Sequence, residues 1–205
     1  MKSNDLDRRG LLKTALIGGA VAATPTRAFA QAIGVTADEA KIVARARQEL
    51  SRVGSQLWRR DKVGMVDFSR PSQEPRMFIV DIMQGSVKSF LVAHGRGSDP
   101  EHDGFLKTFS NDVGSFATSR GAYMTLEWYK GKYGSSMRLA GLDRDNNHAV
   151  DRAIVVHEAW YSSPEMLAKW GKLGRSEGCF AVAPGMNMEM NYHLGGGRLL
   201  FADKL

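Results

Sequence analysis

The chain holds a single cysteine, Cys179, in the segment Arg175-Ser176-Glu177-Gly178-Cys179. Upstream of it an apolar run ends in a histidine, Ile154-Val155-Val156-His157. A thiol attacks as its thiolate, and a neighbouring imidazole is the usual base that produces one. Gly178 allows an unusual turn and a close approach of backbone to substrate. The N–H groups of Gly178 and Cys179 are then free to face an oxyanion. Thiolate, imidazole and amide donors are the three parts that acyl transfer needs. Arg175 adds positive potential, which lowers a thiol pKa from about 8.5. A free cysteine is by default a small buried apolar residue. Whether the fold brings His157 and Cys179 together decides between the two.

The elements that must position this pair read mostly as strands. Ile154 to His157 is short and apolar, a buried strand that gives the imidazole a rigid base. Phe180-Ala181-Val182 is a strand fragment directly after the thiol. Met77 to Met83, a turn at Gln84-Gly85-Ser86, and Val87 to Ala93 form a hairpin. His94 to Ser98 opens a polar loop that runs through Asp103. Residues 109–111 and 114–120 read as a loop and strand. Ala122 to Tyr129 is a strand, Gly131 and Gly134 mark turns, and Arg138 to Ala140 and Arg198 to Phe201 are further strands.

Helices are fewer. Thr36 and Glu39 have capping-box spacing. Ala40, Val43, Ala44, Leu50 and Val53 recur with helical period, which predicts a helix from Thr36 to about Val53. Its polar face carries Lys41, Arg45, Arg47 and Glu49. A linker with Gly64, Pro71 and Pro75 follows. Pro164 to Trp170, capped by Ser162 or Ser163, and Met186 to His193 are short helices. The expected fold is mainly β with short helices, preceded by an N-terminal helix.

Residues 1–30 read as an export signal. Arg8-Arg9 precede a Gly- and Ala-rich apolar stretch, and Ala28-Phe29-Ala30 is a small-x-small cleavage site. The apolar stretch is short of the ~20 residues that a membrane span takes, so no stable span is expected after cleavage near Ala30. The paired arginines point to the twin-arginine route and a periplasmic product. The whole chain carries +6; removing five basic and two acidic residues of the signal leaves +3. That mild excess suits an anionic envelope and does not imply nucleic acid. One cysteine excludes a disulfide within the chain.

Other candidates are weaker. His94 heads a Gly-rich stretch and is placed either on substrate or in a turn. Gly95-Arg96-Gly97 lacks the ending of a phosphate loop. His94, His102 and Asp103 lack the spacing of a metal site, so no metal is expected. His148 and His193 read as exposed. Trp128, Tyr129, Trp160 and Tyr161 serve either the core or a groove for glycan or peptide.

Five blocks in order carry a resemblance: His94-Gly95-Arg96-Gly97-Ser98, Phe109-Ser110-Asn111, Gly131-Lys132-Tyr133-Gly134, Arg152-Ala153-Ile154-Val155-Val156-His157 and Gly174-Arg175-Ser176-Glu177-Gly178-Cys179. Over roughly residues 65 to 203 the chain resembles the L,D-transpeptidase catalytic domain of the YkuD-type fold, most closely its murein L,D-transpeptidase subgroup. The resemblance implies a catalytic domain at 63–205, with a helix and linker at 31–62. It makes Cys179 the nucleophile and His157 the general base. It implies that Gly178 and Cys179 supply oxyanion N–H groups, and that Ser176 shapes the loop and orients the imidazole through a carbonyl. Arg175, His94 and Tyr161 are the expected substrate contacts. The implied partners are peptidoglycan stem peptides, with carbapenems as covalent inhibitors, and no cofactor is implied because the thioester keeps the energy of the cleaved bond. Three departures stand out. Phe180 to Ala183 replace a segment that often carries an arginine, Glu158 replaces a glycine, and Glu177 fills a place that is often aromatic or histidine. Rival expectations are an L,D-carboxypeptidase or endopeptidase on the same thioester, and a non-catalytic envelope-binding domain.

Overall fold

A computed structural model describes residues 36–205; the expected export signal lies outside them. Helix α1 (Ala37–Val53) starts as its capping box predicts. The Glu39 N–H donates to Thr36 Oγ1 at 3.2 Å, and the Thr36 N–H donates to the Glu39 carboxylate at 2.8 Å. Glu49, expected on the solvated face, is only 4% exposed. Arg45 and Arg52 each bond its carboxylate, at 2.9 and 2.7 Å, and Arg52 reaches on to Asp143. Two guanidiniums offset the cost of burying that charge, so the polar stripe turns inward at this point.

Among the described residues nine strands form one sheet: β1 (Lys62–Asp67), β2 (Met77–Asp81), β3 (Val87–Phe90), β4 (Val92–Ala93), β5 (Gly121–Gly131), β6 (Gly134–Gly141), β7 (Val155–Glu158), β8 (Phe180–Val182) and β9 (Leu199–Asp203). Their order is β3-β2-β1-β9-β5-β6-β7-β8-β4. Neighbours are antiparallel except β1–β9 and β7–β8, which are parallel. Helices α2 (Pro164–Trp170) and α3 (Asn187–Leu194) complete the chain.

Alternation along the strands separates two cores. Val63, Met65, Phe78, Val80, Leu199 and Phe201 face α1 and pack on Ile42, Val43 and Ala46. Val66, Met77, Ile79, Leu200 and Ala202 face the other way, joining Tyr123, Leu139, Val156, Phe180 and α3's Met190 and Leu194. A sheet covered on both faces explains the apolar runs at Val155-Val156 and Phe180 to Val182.

The structure corrects two expectations. The linker after α1 contains β1, a central strand buried along nearly its full length. Its Gly64 reads as a breaker in sequence, but here it makes room: a Cβ would stand 2.7 Å from Leu200 Cδ1 and 3.0 Å from Leu194 Cδ1. Residues 109–120 pair with no strand. Side chains satisfy part of that backbone instead, with Ser98 Oγ accepting the Thr118 N–H at 2.9 Å. Strands β5 and β6 run on to Gly131 and from Gly134, so a tight turn presents Lys132 and Tyr133 at its tip.

Replacing Gly64 with valine overfills the contact between β1 and α3, and the expected cost is about 1–3 kcal/mol. Urea unfolding of the variant checks it through a lowered midpoint with an unchanged slope.

Candidate active site

The parallel pairing of β7 with β8 sets Val156 opposite Phe180 and His157 opposite Ala181. Cys179 directly precedes β8, two residues before the partner of His157. On a pleated pair, that spacing returns a side chain to the same face. The thiol is partly exposed, and its Sγ lies 3.6 Å from the Ala153 carbonyl. Ala153 has φ 52°, a left-handed conformation that costs a residue with a Cβ about 1 kcal/mol or more. Among the described residues the thiol and imidazole share no hydrogen bond. In free enzymes such contacts are often loose and tighten only around substrate.

His157 is 3% exposed. Its Nδ1–H donates to the Glu158 carbonyl at 2.8 Å, which leaves Nε2 as the basic nitrogen. Tyr133, at the tip of the β5–β6 hairpin, stacks on the ring with centroids 5.0 Å apart. Burial holds the imidazole pKa below its ordinary value, only partly offset by the Glu158 carbonyl. Burial pushes the Cys179 thiol up, while the Val155 backbone and the Arg152 charge pull it down. Both groups therefore rest neutral, the thiol protonated and the imidazole unprotonated at Nε2.

Three loops hold the thiol in place. Gly95 pairs with Ser176, the Ser176 N–H donates to the His94 carbonyl at 2.9 Å, and the Arg96 N–H donates to the Ser176 carbonyl at 2.8 Å. A Cβ on Gly95 would collide with the Phe116 carbonyl and the Gly178 backbone. Gly178 itself has φ +115°, and a Cβ there would lie 2.8 Å from the Ala117 carbonyl. Ser176 Oγ donates to the Cys179 carbonyl at 2.6 Å and accepts the Gly178 N–H at 3.2 Å. This alters two expectations. The Gly178 N–H is engaged by Ser176, whereas the Cys179 N–H donates to no group among the described residues. The imidazole is oriented by Glu158, and Ser176 shapes the loop alone.

The expected substrate contacts fall in different places. Tyr161 is half-buried: burial raises its phenol pKa, and Cys179, Tyr133 and Glu177 add to the shift. Arg175 is tied down by the carbonyls of Asp99 and Pro100. His94 is buried, not offered to solvent. Arg76 donates to its Nδ1 at 2.7 Å, so its Nε2–H must donate to Asp99, 3.3 Å away. Burial first, then the Arg76 charge, pushes the His94 pKa down to about 3. The ring thus braces the Asp99 loop, while the backbone carbonyl of His94 holds Ser176. His193, expected exposed, is 7% exposed and sits 2.9 Å from Glu189.

Two further residues escape a sequence reading. Tyr133 stands in one of the blocks that carry the resemblance, but nothing there assigns it a role, and its stacking on His157 depends on the hairpin's length. Arg152 donates to the Ser110 carbonyl at 2.7 Å, to Ser115 Oγ at 3.2 Å and to the Ala117 carbonyl. It bonds no carboxylate among the described residues, and its charge acts on Cys179. Its place five residues before His157 is the only hint. Arg96 lies over the Phe116 ring at 3.7 Å and 3.6 Å from Glu177, forming an exposed rim. Glu158 accepts the N–H groups of Gly185 and Asn187, at 2.7 and 3.1 Å, and so fixes the turn into α3. Phe180 stacks on Phe68 in the core. Among the described residues no group of three His, Cys, Asp or Glu could hold a metal ion.

A sequence model of the L,D-transpeptidase catalytic domain matches residues 36–202. An L,D-transpeptidase from Mycobacterium smegmatis aligns over 70% of this chain and 58% of its own, with 13% identity and a TM-score of 0.41. The L,D-transpeptidase LdtMt1, solved in complex with imipenem, aligns over 70% and 59%, with 12% identity and a TM-score of 0.42. An L,D-transpeptidase from Stackebrandtia nassauensis aligns over 87% and 75%, with 14% identity and a TM-score of 0.41. The chain thus spans less than two thirds of the first two proteins. No curated protein shows a significant match. The mainly β architecture with its N-terminal helix agrees with the YkuD-type fold expected.

Two outcomes follow from the charges. Iodoacetamide alkylation of Cys179 should show a pH midpoint above that of a free thiol. Arg152→Gln should raise it further and slow alkylation at neutral pH by roughly tenfold, with Arg152→Lys in between. The folded-state pKa of His94, about 3, lies below the ordinary 6.5, so folding favours the neutral ring. Its stabilisation is complete above 6.5 and is lost as pH falls from there towards 3. Urea midpoints across this range should fall, and His94→Gln should fall less steeply.

Proposed function

The chain belongs to the L,D-transpeptidase catalytic-domain family, and on that premise we propose that it is a cysteine acyltransferase that cross-links peptidoglycan stem peptides. The observation that carries the reading is His157, buried and neutral, with its Nδ1–H held by Glu158 and its Nε2 left basic, on the strand beside Cys179.

In this reading Nε2 takes the proton of the Cys179 thiol as Sγ attacks the carbonyl of an L-to-D peptide bond, after meso-diaminopimelate in a donor stem. The Cys179 N–H receives the oxyanion, and the positive potential of Arg152 favours both thiolate and oxyanion. The imidazolium then protonates the departing amine of the terminal D-residue, leaving a thioester on Sγ. An amine from a neighbouring stem attacks this thioester and gives its proton to His157. Collapse of the second oxyanion breaks the C–S bond, and the thiolate regains its proton from the imidazolium. Each half-reaction returns His157 to its neutral form. A neutral resting pair suits such a cycle, because charge appears only when the tetrahedral species does. Export through the twin-arginine signal would deliver the enzyme to its substrate in the periplasm.

Protein starting at Gln31, incubated with disaccharide-tetrapeptide, should gain a covalent mass increment on Cys179, and a carbapenem should add one at the same residue. Cys179→Ala should gain neither. His157→Ala should slow acylation by roughly 10²–10⁴-fold. Cross-linked products identify a transpeptidase, and shortened stems without cross-links would instead assign water as the acceptor.

A further inference from the structure

His157 lies on β7 and Cys179 directly precedes β8, and these two parallel strands run out at one groove. Two residues after β7 comes Trp160, and directly after β8 comes Ala183; both line it. The groove encloses about 610 Å³, and Met166, Trp170 and Pro184 complete its apolar wall. Trp160 is 72% exposed and Trp170 60%. Helix α2, which carries Trp170, has no fully buried residue; its Leu167 packs half-buried against a small cluster of Ala93, Ala159, Leu173 and Ala181. Two indoles left in water, Trp160 in the turn after β7 and Trp170 at the end of α2, call for an occupant.

The groove opens where β7 and β8 end. The Trp160 ring meets the edge of Tyr161 with centroids 5.8 Å apart. The polar residues of the groove are few and balanced: Ser163, Glu165 and Lys169, one charge of each sign. That presents no field for a polyanion. Flat aromatic faces beside isolated hydrogen-bonding groups match a pyranose ring, whose axial C–H face is apolar and whose rim carries hydroxyl and amide groups.

We propose that the Trp160–Trp170 groove is a glycan subsite that stacks the sugar rings of a β-linked N-acetylhexosamine strand. The proposal rests on the acyltransferase reading for its logic. A stem peptide is joined covalently to such a strand, so a peptide carbonyl at Cys179 puts sugar within reach of the groove.

The test separates the two. Cys179→Ala protein, which cannot turn over, is titrated with chitopentaose while indole fluorescence is followed. Saturable quenching is expected, and the Trp160→Ala/Trp170→Ala double variant should bind at least tenfold more weakly. Because both side chains are exposed, its melting temperature should match that of the parent. Absence of binding, or equal binding by the double variant, overturns the subsite. So does Trp-dependent self-association or vesicle binding without sugar binding, which would assign the groove to a second copy or to lipid. A Cys179 adduct without sugar binding removes the subsite alone; sugar binding without an adduct removes the acyltransferase alone.

Discussion

The parallel contact between β7 and β8 is the constraint on which the site depends. It sets His157 across from Ala181 and so brings the end of the Cys179 loop alongside the imidazole strand. Both strands are buried, with Val156 and Phe180 in one core, so the register cannot slip without moving apolar side chains to the wrong face. The chemistry therefore borrows its precision from the hydrophobic effect. An imidazole on a packed strand keeps its orientation, as the proposed base must, beside the loop that carries the proposed nucleophile.

The loop is held by backbone contact and buried charge more than by its own side chains. Gly95 and Gly178 touch where no larger residue fits. Behind them Arg76, His94 and Asp99 form a buried chain of polar groups in which each side chain has a partner. Asp99 also accepts the N–H groups of Asp103 and Gly104, at 3.0 Å each, so one carboxylate orders the loop that ties down Arg175. Leaving any of these groups unpaired would expose the cost of burying the rest.

Much of the fold was legible because local pattern and tertiary role agree. Helix α1 declares itself through Thr36, Glu39 and its apolar period, and β2, β5, β7 and β8 through apolar runs. Cys179 and His157 stood out as candidates because few residue types could do that chemistry. The remainder depends on contacts between distant segments. Gly64 breaks the strand pattern locally, yet β1 needs it for the side chains of Leu194 and Leu200. His94 stands in a Gly-rich stretch that reads as surface, and only the fold reveals Arg76 against its ring. Arg152 and Tyr133 gain their roles from segments brought to them by the β5–β6 hairpin and the 110–117 loop.

The central claim is that His157 rests as a neutral base with its proton on Nδ1. The most direct measurement is the ¹⁵N chemical shifts of its ring in protein with labelled histidine, followed from about pH 8 to about pH 5. The account predicts a protonated Nδ1, an unprotonated Nε2 and a neutral ring at neutral pH, with protonation only below the ordinary histidine range. An imidazolium at neutral pH, or a proton on Nε2 instead, would contradict it.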